Sequence, residues 1–342
     1  AEYETKNTVK NIGLYDLTPF SKFEIISDNA HQELQKICTA NIKNEVGKCT
    51  YTQMLNSDGG IETDLTVICL DKNYFRIVSS AATRERDKFH IKKHLSNEIE
   101  LRDVTDDYCV FGLFGPKSRD LIKTISNENF ENDNFKFGTG KYIVIENIKI
   151  WTQRLSYVGE LGYELYVEFK DAKKIYELIT NKGKDFNLSN CGMHAMDIMR
   201  MESGYLHWGH DISPKENQYE ANLNFAISFK KDFNFIGKDA LLEIKDKKPN
   251  KRLVMLTLKN SKPGEPLLLH DEPIYLYDKI IGETTSGNYS FNFNKNLSFG
   301  YIKSNLGNEE LFKKNLYIEI EKKKYPVEIL LKPLKQSNFK SI

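Results

Sequence analysis

The sequence predicts an α+β protein whose C-terminal part is a small β-barrel or sandwich. Three observations carry this. Through residue 245, strand-period and helix-period segments alternate irregularly, without the cadence of a doubly wound sheet. Residues 245–251, KDKKPNK, make a charged, proline-bearing break. Beyond it come six short apolar runs set off by glycine and asparagine corners. We therefore expect one region over 1–245, itself divisible in two, and a second over 251–342.

In order, residues 11–25 open on a turn-like Asn-Ile-Gly and pass into an alternating segment, and a helix follows over 29–39, capped by Asp28 or Asn29. Residues 41–56 show no clear period. Residues 59–82 read as a hairpin: a Gly-Gly turn, a long strand, the corner Asp71-Lys72-Asn73 and a second strand over 74–78. On the long strand Ile61, Thr63, Leu65, Val67 and Cys69 share one face, and Glu62, Asp64, Thr66 and Ile68 share the other. An aspartate in mid-strand is disfavoured. Two readings stay open for Asp64: a solvated edge strand, or a carboxylate facing a ligand.

A basic helix follows over 83–95 with Phe89, Ile91 and Leu95 as its inward stripe. A strand over 108–114 runs into Gly115-Pro116 and a helix to 125, with Leu121, Ile122 and Ile125 inward. Residues 126–140 read as a polar loop and 141–154 as a hairpin turning at Glu146-Asn147. After a compact turn at 156–162 come a strand over 163–169 and a helix over 172–180 capped by Asp171. Further helices are expected over 193–202, ending at Gly204, and within 235–242. The six late strands are placed at 252–258, 274–277, 281–285, 299–302, 316–320 and 327–331.

Composition excludes several classes. With 342 residues, 40% hydrophobic and 28% charged, the chain is an ordinary globular protein, and 49 Lys+Arg against 48 Asp+Glu argue against a nucleic-acid or acidic-lipid partner. No apolar run reaches the ~20 residues that span a bilayer. The N-terminus lacks a signal core, and five scattered cysteines at no metal-ligand spacing suit reduced thiols in a cytoplasmic setting. The start at Ala1 fits either a removed initiator or a piece of something longer.

Among chemical motifs, His207 and His210 stand three apart in a glycine-interrupted loop, unlike the helical pair of a zinc hydrolase, so no metal is expected. There is no nucleophile elbow, phosphate loop or dinucleotide fingerprint. A carboxylate-plus-aromatic pattern remains. Tyr157 and Glu164 are seven apart, with Gly159 allowing a sharp turn and Gly162 allowing a flat ligand near the main chain. A glutamate can accept two hydrogen bonds from an amino-substituted heterocycle, and a tyrosine ring can stack on it. A solvated strand glutamate is the plainer alternative.

Several blocks, in order, carry a resemblance. YTQMLNSDGGIETDLTV (51–67), GLFGPKSRDLI (112–122), SYVGELGYELYV (156–167), NFIGKDALL (234–242) and GETTSG (282–287) are similar to the glycine-cleavage T-protein family of tetrahydrofolate-dependent aminomethyltransferases. DLTPFSKFEI (16–25) and RMESGYLHWGHDI (200–212) look more like the folate-binding portion of dimethylglycine and sarcosine dehydrogenases. Those relatives carry an N-terminal flavin domain, so the chain resembles an excised or separately encoded folate half. The resemblance implies a T-protein-like folate-binding fold with a C-terminal β-barrel, and tetrahydrofolate as cofactor.

It also implies roles. The family's catalytic aspartate falls on Asp64, its pterin-binding glutamate on Glu164 and the accompanying tyrosine on Tyr157. Folate contacts from the hairpin fall at Arg76, Val78 and Ser80, with Thr66 beside them. A folate-lining tryptophan appears as Phe225, a methionine near the folate as Phe20 and a C-terminal tyrosine as Phe339. The arginine of an A-R-D helix pattern is replaced by Met196, a departure that bears on binding of an aminomethyl-lipoyl carrier. The implied activity is one-carbon transfer from an N-methyl or aminomethyl donor, giving 5,10-methylenetetrahydrofolate. A flavoprotein oxidoreductase or a lipoyl carrier protein would be the partner. The rivals are a folate-dependent demethylase giving 5-methyltetrahydrofolate and a non-catalytic folate-binding scaffold. One scaffold branch, which serves iron–sulfur assembly, has a K-G-C-Y cysteine pattern that is missing at residues 155–160.

Overall fold

A computed structural model describes residues 1–336 and 339–342. Two sheets and a barrel make up its strands. The first sheet runs Leu188–Cys191, Ile12–Asp16, Tyr108–Phe114, Gly162–Glu168, Ile148–Arg154, Thr139–Ile145. The second runs Cys49–Leu55, Ile61–Asp71, Tyr74–Ser79, Ser21–Ile26, Leu101–Asp103. Their mixed directions and irregular helices make the α+β class expected from the uneven alternation.

Each sheet buries one face under helices. Leu113, Tyr163, Leu165 and Val167 pack with Leu121, Ile122, Ile175 and Ile179 of the helices Ser118–Ile125 and Phe169–Gly183. Leu65, Val67, Phe75 and Ile77 pack with Leu34, Ile37 and Ile91 of Ala30–Ile37 and Arg84–His94. The other faces meet each other. Ile68 and Leu70 of the second sheet join Tyr15, Val110, Trp151 and Tyr166 of the first in one cluster. The strand periodicity thus sends Leu65, Val67 and Cys69 under the helices and Ile68 and Leu70 between the sheets.

The hairpin strand is paired on both sides, with Cys49–Leu55 and with Tyr74–Ser79. It is an interior strand, so the edge-strand reading of Asp64 is overturned. Its partner lies in residues 41–56, where no period was visible. Alternation fails there because Cys49, Thr50 and Tyr51 are partly open while Thr52 to Leu55 are buried on both faces. Residues 2–10 form a helix and 188–191 a strand that the sequence did not suggest. The helix expected from residue 172 starts at Phe169, which places Asp171 in its first turn rather than at its cap.

Phe89 is 70% exposed, contrary to the inward stripe expected for its helix. Asp87 takes the inner position, four residues before Ile91 and eight before Leu95. It accepts hydrogen bonds from Thr63 (3.0 Å), Ser79 (2.7 Å) and Thr83 (2.7 Å). A fully bonded carboxylate can be buried where hydrophobicity alone would exclude it.

The six late strands close into a barrel in the order Arg252–Leu258, Lys295–Ile302, Lys279–Ser290, Pro273–Leu276, Leu316–Ile320, Lys323–Leu330. A buried ionic node docks it on the helix Met193–Glu202. Arg200 donates to Asp211 (2.5 Å) and Ser286 (2.9 Å), and Thr285 and Ser286 donate to the other Asp211 oxygen at 2.7 Å each. These residues come from the 200–212 and 282–287 blocks.

In the 156–162 turn, Gly159 has φ +71°, in keeping with the sharp turn expected of it. A Cβ on Gly162 would lie 2.2 Å from the Phe114 ring. The close approach at Gly162 is therefore made by a packed aromatic ring on the neighbouring strand, not by a flat ligand as the spacing suggested. Gly162→Ala is expected to destabilise the protein by about 1–3 kcal/mol through overpacking, measurable as a lower urea midpoint with an unchanged slope.

Candidate active site between the two sheets

Asp64 and Glu164 both point into the space between the sheets, each from an inward position of its strand. Each is met by a glutamine directly opposite on the next strand. Gln53, the register partner of Asp64, donates to its Oδ1 at 2.7 Å. Gln153, the register partner of Glu164, donates to its Oε2 at 2.8 Å. Neither glutamine was singled out from the sequence. The signal was available, because a mid-strand carboxylate implies a polar partner across the ladder.

Burial pushes the Asp64 carboxyl up to about 6, against the donation from Gln53 and from the Tyr51 hydroxyl. Burial pushes Glu164 up to about 7, opposed by Gln153 and by Tyr166, whose hydroxyl lies 3.4 Å away. Both groups are therefore ready to change charge near neutrality. Such placement marks acid–base or ligand-compensated sites.

Both native carboxyls hold their protons to higher pH than the ordinary 3.8 and 4.5. The native state therefore binds more protons than the unfolded one, and these two groups lower stability as pH rises from about 4 to about 7. The Tm difference between the ligand-free chain and its Asp64→Asn/Glu164→Gln variant should widen over that window in favour of the variant. A constant difference would contradict the burial of both charges.

Tyr157 donates its hydroxyl proton to the Leu206 carbonyl (2.7 Å) and stacks on Tyr205 with centroids 6.1 Å apart and planes 14° off parallel. Its surroundings include the charges of Asp64 and Arg200. Phe20, Val78 and Tyr157 pack on the same inter-sheet cluster. Thr66 is the register partner of Val78 and is half-buried. The Ser80 carbonyl accepts from Ser21 at 2.9 Å, which ends the second hairpin strand.

Arg76 sits apart from these. Its guanidinium is 2% exposed, pairs with Glu24 at 2.6 Å and lies over the rings of Tyr108 (4.3 Å) and Tyr166 (5.1 Å). The side chain is already committed, and it supports Tyr166 beside Glu164. Phe225 is 73% exposed and stacks on Tyr51, the donor to Asp64, at 6.1 Å. Phe339 is buried against Phe137, and Met196 is buried in the inter-sheet cluster. The rings of His207 and His210 lie 4.6 Å apart, and among the described residues no three His, Cys, Asp or Glu are placed to hold a metal ion.

Comparison with known proteins decides the family. The GCVT N-terminal domain model matches residues 1–231, and the glycine cleavage T-protein C-terminal barrel domain model matches 251–335. The chain belongs to the glycine cleavage T-protein family. An aminomethyltransferase of Halothermothrix orenii is 32% identical over 88% of this chain and 83% of its own length. Rat mitochondrial dimethylglycine dehydrogenase is 32% identical over 97% of this chain, and the chain spans 38% of that protein's length. The formaldehyde-forming 4-methylaminobutanoate oxidase of Paenarthrobacter nicotinovorans is 35% identical over 84% of this chain and 34% of its own. The crystal structure of the glycine cleavage system aminomethyltransferase T from Bartonella henselae superposes with a TM-score of 0.85 at 21% identity, covering 97% of this chain and 89% of that one. Its fold is the fold of this chain, barrel included.

Tetrahydrofolate is the cofactor of this family. The donor set between the sheets suits it: a carboxylate, Glu164, offers paired acceptors, and the Tyr157–Tyr205 stack offers a fixed ring face. Among the described residues, no helix is long and apolar enough to cross a membrane.

Proposed function

We propose that this chain is a tetrahydrofolate-dependent one-carbon transferase that takes a one-carbon unit at the formaldehyde level, from an aminomethyl donor or from an N-methyl donor that a flavoprotein has first oxidised by two electrons, and yields 5,10-methylenetetrahydrofolate. The observation that carries the proposal is the pair of inward carboxylates on facing sheets, each steadied by an amide from the neighbouring strand. When bound, the folate supplies the nitrogens that carry the one-carbon unit. Glu164 would accept hydrogen bonds from the amino-pyrimidine edge. Tyr157 would support the ring, with Phe20, Val78, Thr66, Ser80 and Arg76 as the further residues that would hold it. Phe225 borders the opening.

Asp64 then has a defined task. With its pKa near 6 it is ionised at neutral pH yet basic enough to take a proton from a donor nitrogen. Its charge also stabilises a cationic nitrogen in a site of low polarity. The similarity to dimethylglycine dehydrogenase and to 4-methylaminobutanoate oxidase favours an N-methyl amine as donor and a flavoprotein oxidoreductase as partner, in the same chain or separate. The aminomethyltransferase relatives favour an aminomethyl group on a carrier protein.

Product identity tests the reading. The chain, tetrahydrofolate and the candidate donor system are incubated and the folates separated by mass. We expect 5,10-methylenetetrahydrofolate. Accumulation of 5-methyltetrahydrofolate would replace this reading with the demethylase, and tetrahydrofolate binding without any product would leave the scaffold.

A further inference from the structure

We propose that Gln218 is a positioning residue for Asp64, acting through Gln53 in a hydrogen-bonded chain whose direction is set by the backbone at its far end. The inference rests on the reading of Asp64 given above and adds a residue that stands 154 positions further along the chain.

Gln218 and Gln53 are both fully buried. Gln218 Nε2 donates to Gln53 Oε1 at 2.5 Å and to Thr39 Oγ1 at 3.1 Å, and Gln53 Nε2 donates to Asp64 Oδ1 at 2.7 Å. An amide has a donor end and an acceptor end of nearly equal shape, so its orientation must follow from its partners. Here they determine it. Thr39 Oγ1 lies 3.1 Å from the Ala226 carbonyl, which can only accept, so the Thr39 proton points there. Thr39 Oγ1 is then left as an acceptor, and the Gln53 backbone N–H (3.4 Å) also points at it. Gln218 must therefore turn its NH₂ toward Thr39 and Gln53. Gln53 must in turn offer its carbonyl to Gln218 and its NH₂ to Asp64.

The arrangement leaves Gln218 Oε1 buried with no hydrogen-bond partner. An unmet buried acceptor is costly, which is understandable if the orientation serves another group. Reversing both amides would let Gln53 Nε2 donate to Gln218 Oε1, but that oxygen would then face Thr39 Oγ1, whose proton is held by the Ala226 carbonyl, and the Gln218 NH₂ would take the partnerless place. The reversal would also turn the Gln53 carbonyl toward Asp64, an arrangement that suits the protonated acid and repels the carboxylate. The chain thus holds Asp64 in its proton-accepting form.

Other groups act on Asp64 as well. Tyr51, from the same strand as Gln53, donates to it; Asp87, from the helix Arg84–His94, repels its charge; Tyr157 lies within reach of its field. Gln218 touches none of these by hydrogen bond, so its removal tests the relay by itself. The loop that carries it is tied to the barrel through the Leu253 N–H, which donates to the Glu220 carbonyl at 2.8 Å.

The test is a ¹³C-carboxyl NMR titration of the full chain without folate, with the Asp64 resonance assigned by its loss in Asp64→Asn. The wild-type midpoint is expected near 6. In Gln218→Leu, Gln53 is free to reverse, and the midpoint should rise by about one pH unit, a tenfold change in ionisation. Thr39→Val, which keeps both glutamines but removes the anchor, should move it in the same direction by less. The acid limb of turnover should move with the midpoint. An unmoved midpoint in folded Gln218→Leu overturns the proposal; if that variant does not fold, an unmoved midpoint in Thr39→Val does so. A midpoint that moves while the acid limb stays in place upholds the relay and instead removes Asp64 from the reaction.

Discussion

Asp64→Asn is expected to lower kcat by about 10²–10⁴-fold, the usual worth of a general acid–base group, with tetrahydrofolate affinity and fold retained. The substitution is nearly isosteric, and the asparagine Oδ1 can still accept from Gln53. Only the capacity to take a proton or to carry a charge is lost. Because the effect belongs to the reaction and not to ground-state binding, kcat and kcat/KM should fall together. The wild-type rate should also decline below about pH 6, as the carboxyl takes up its proton. The same change should raise the Tm of the ligand-free chain at pH 7–8, where the wild type carries a buried charge, and leave it unchanged near pH 4. Retained turnover in a folded variant would undo the mechanism.

Glu164→Ala should act on binding. Losing hydrogen bonds from a buried carboxylate to a heterocycle is expected to weaken tetrahydrofolate binding by about 10–100-fold, read by calorimetry, with a smaller effect on kcat at saturation. The pH dependence supplies an independent check. Glu164 keeps its proton up to about 7 in the free protein, and an amino-pyrimidine edge binds the ionised form. Affinity should therefore fall as pH drops below about 7, approaching tenfold per unit. That limb should vanish in the alanine variant. Unchanged affinity would remove Glu164 from the pocket.

Much of this site was legible before any fold was known. Two-residue alternation is a local property, and it placed Asp64 and Thr66 on a different face from Thr63 and Leu65. The collinear blocks carried the family and with it the folate. The hairpin at 146–147 and the six barrel strands were visible because turn residues punctuate apolar runs. Where packing competed with pattern, the reading failed. Phe89 was assigned inward by hydrophobicity, but three hydroxyls on neighbouring elements gave that position to Asp87.

Local pattern therefore settles which strand face a residue such as Asp64 occupies, since chirality and the pleat act within a few residues. Only the tertiary structure decided what those faces look at. That the Asp64 strand is interior, and that Gln153 and Gln53 meet the two carboxylates, depends on pairings between strands. Gln218 reaches Gln53 from 165 residues away. Contacts of that span leave no period in the chain, because they arise from closing loops whose length the local pattern does not encode.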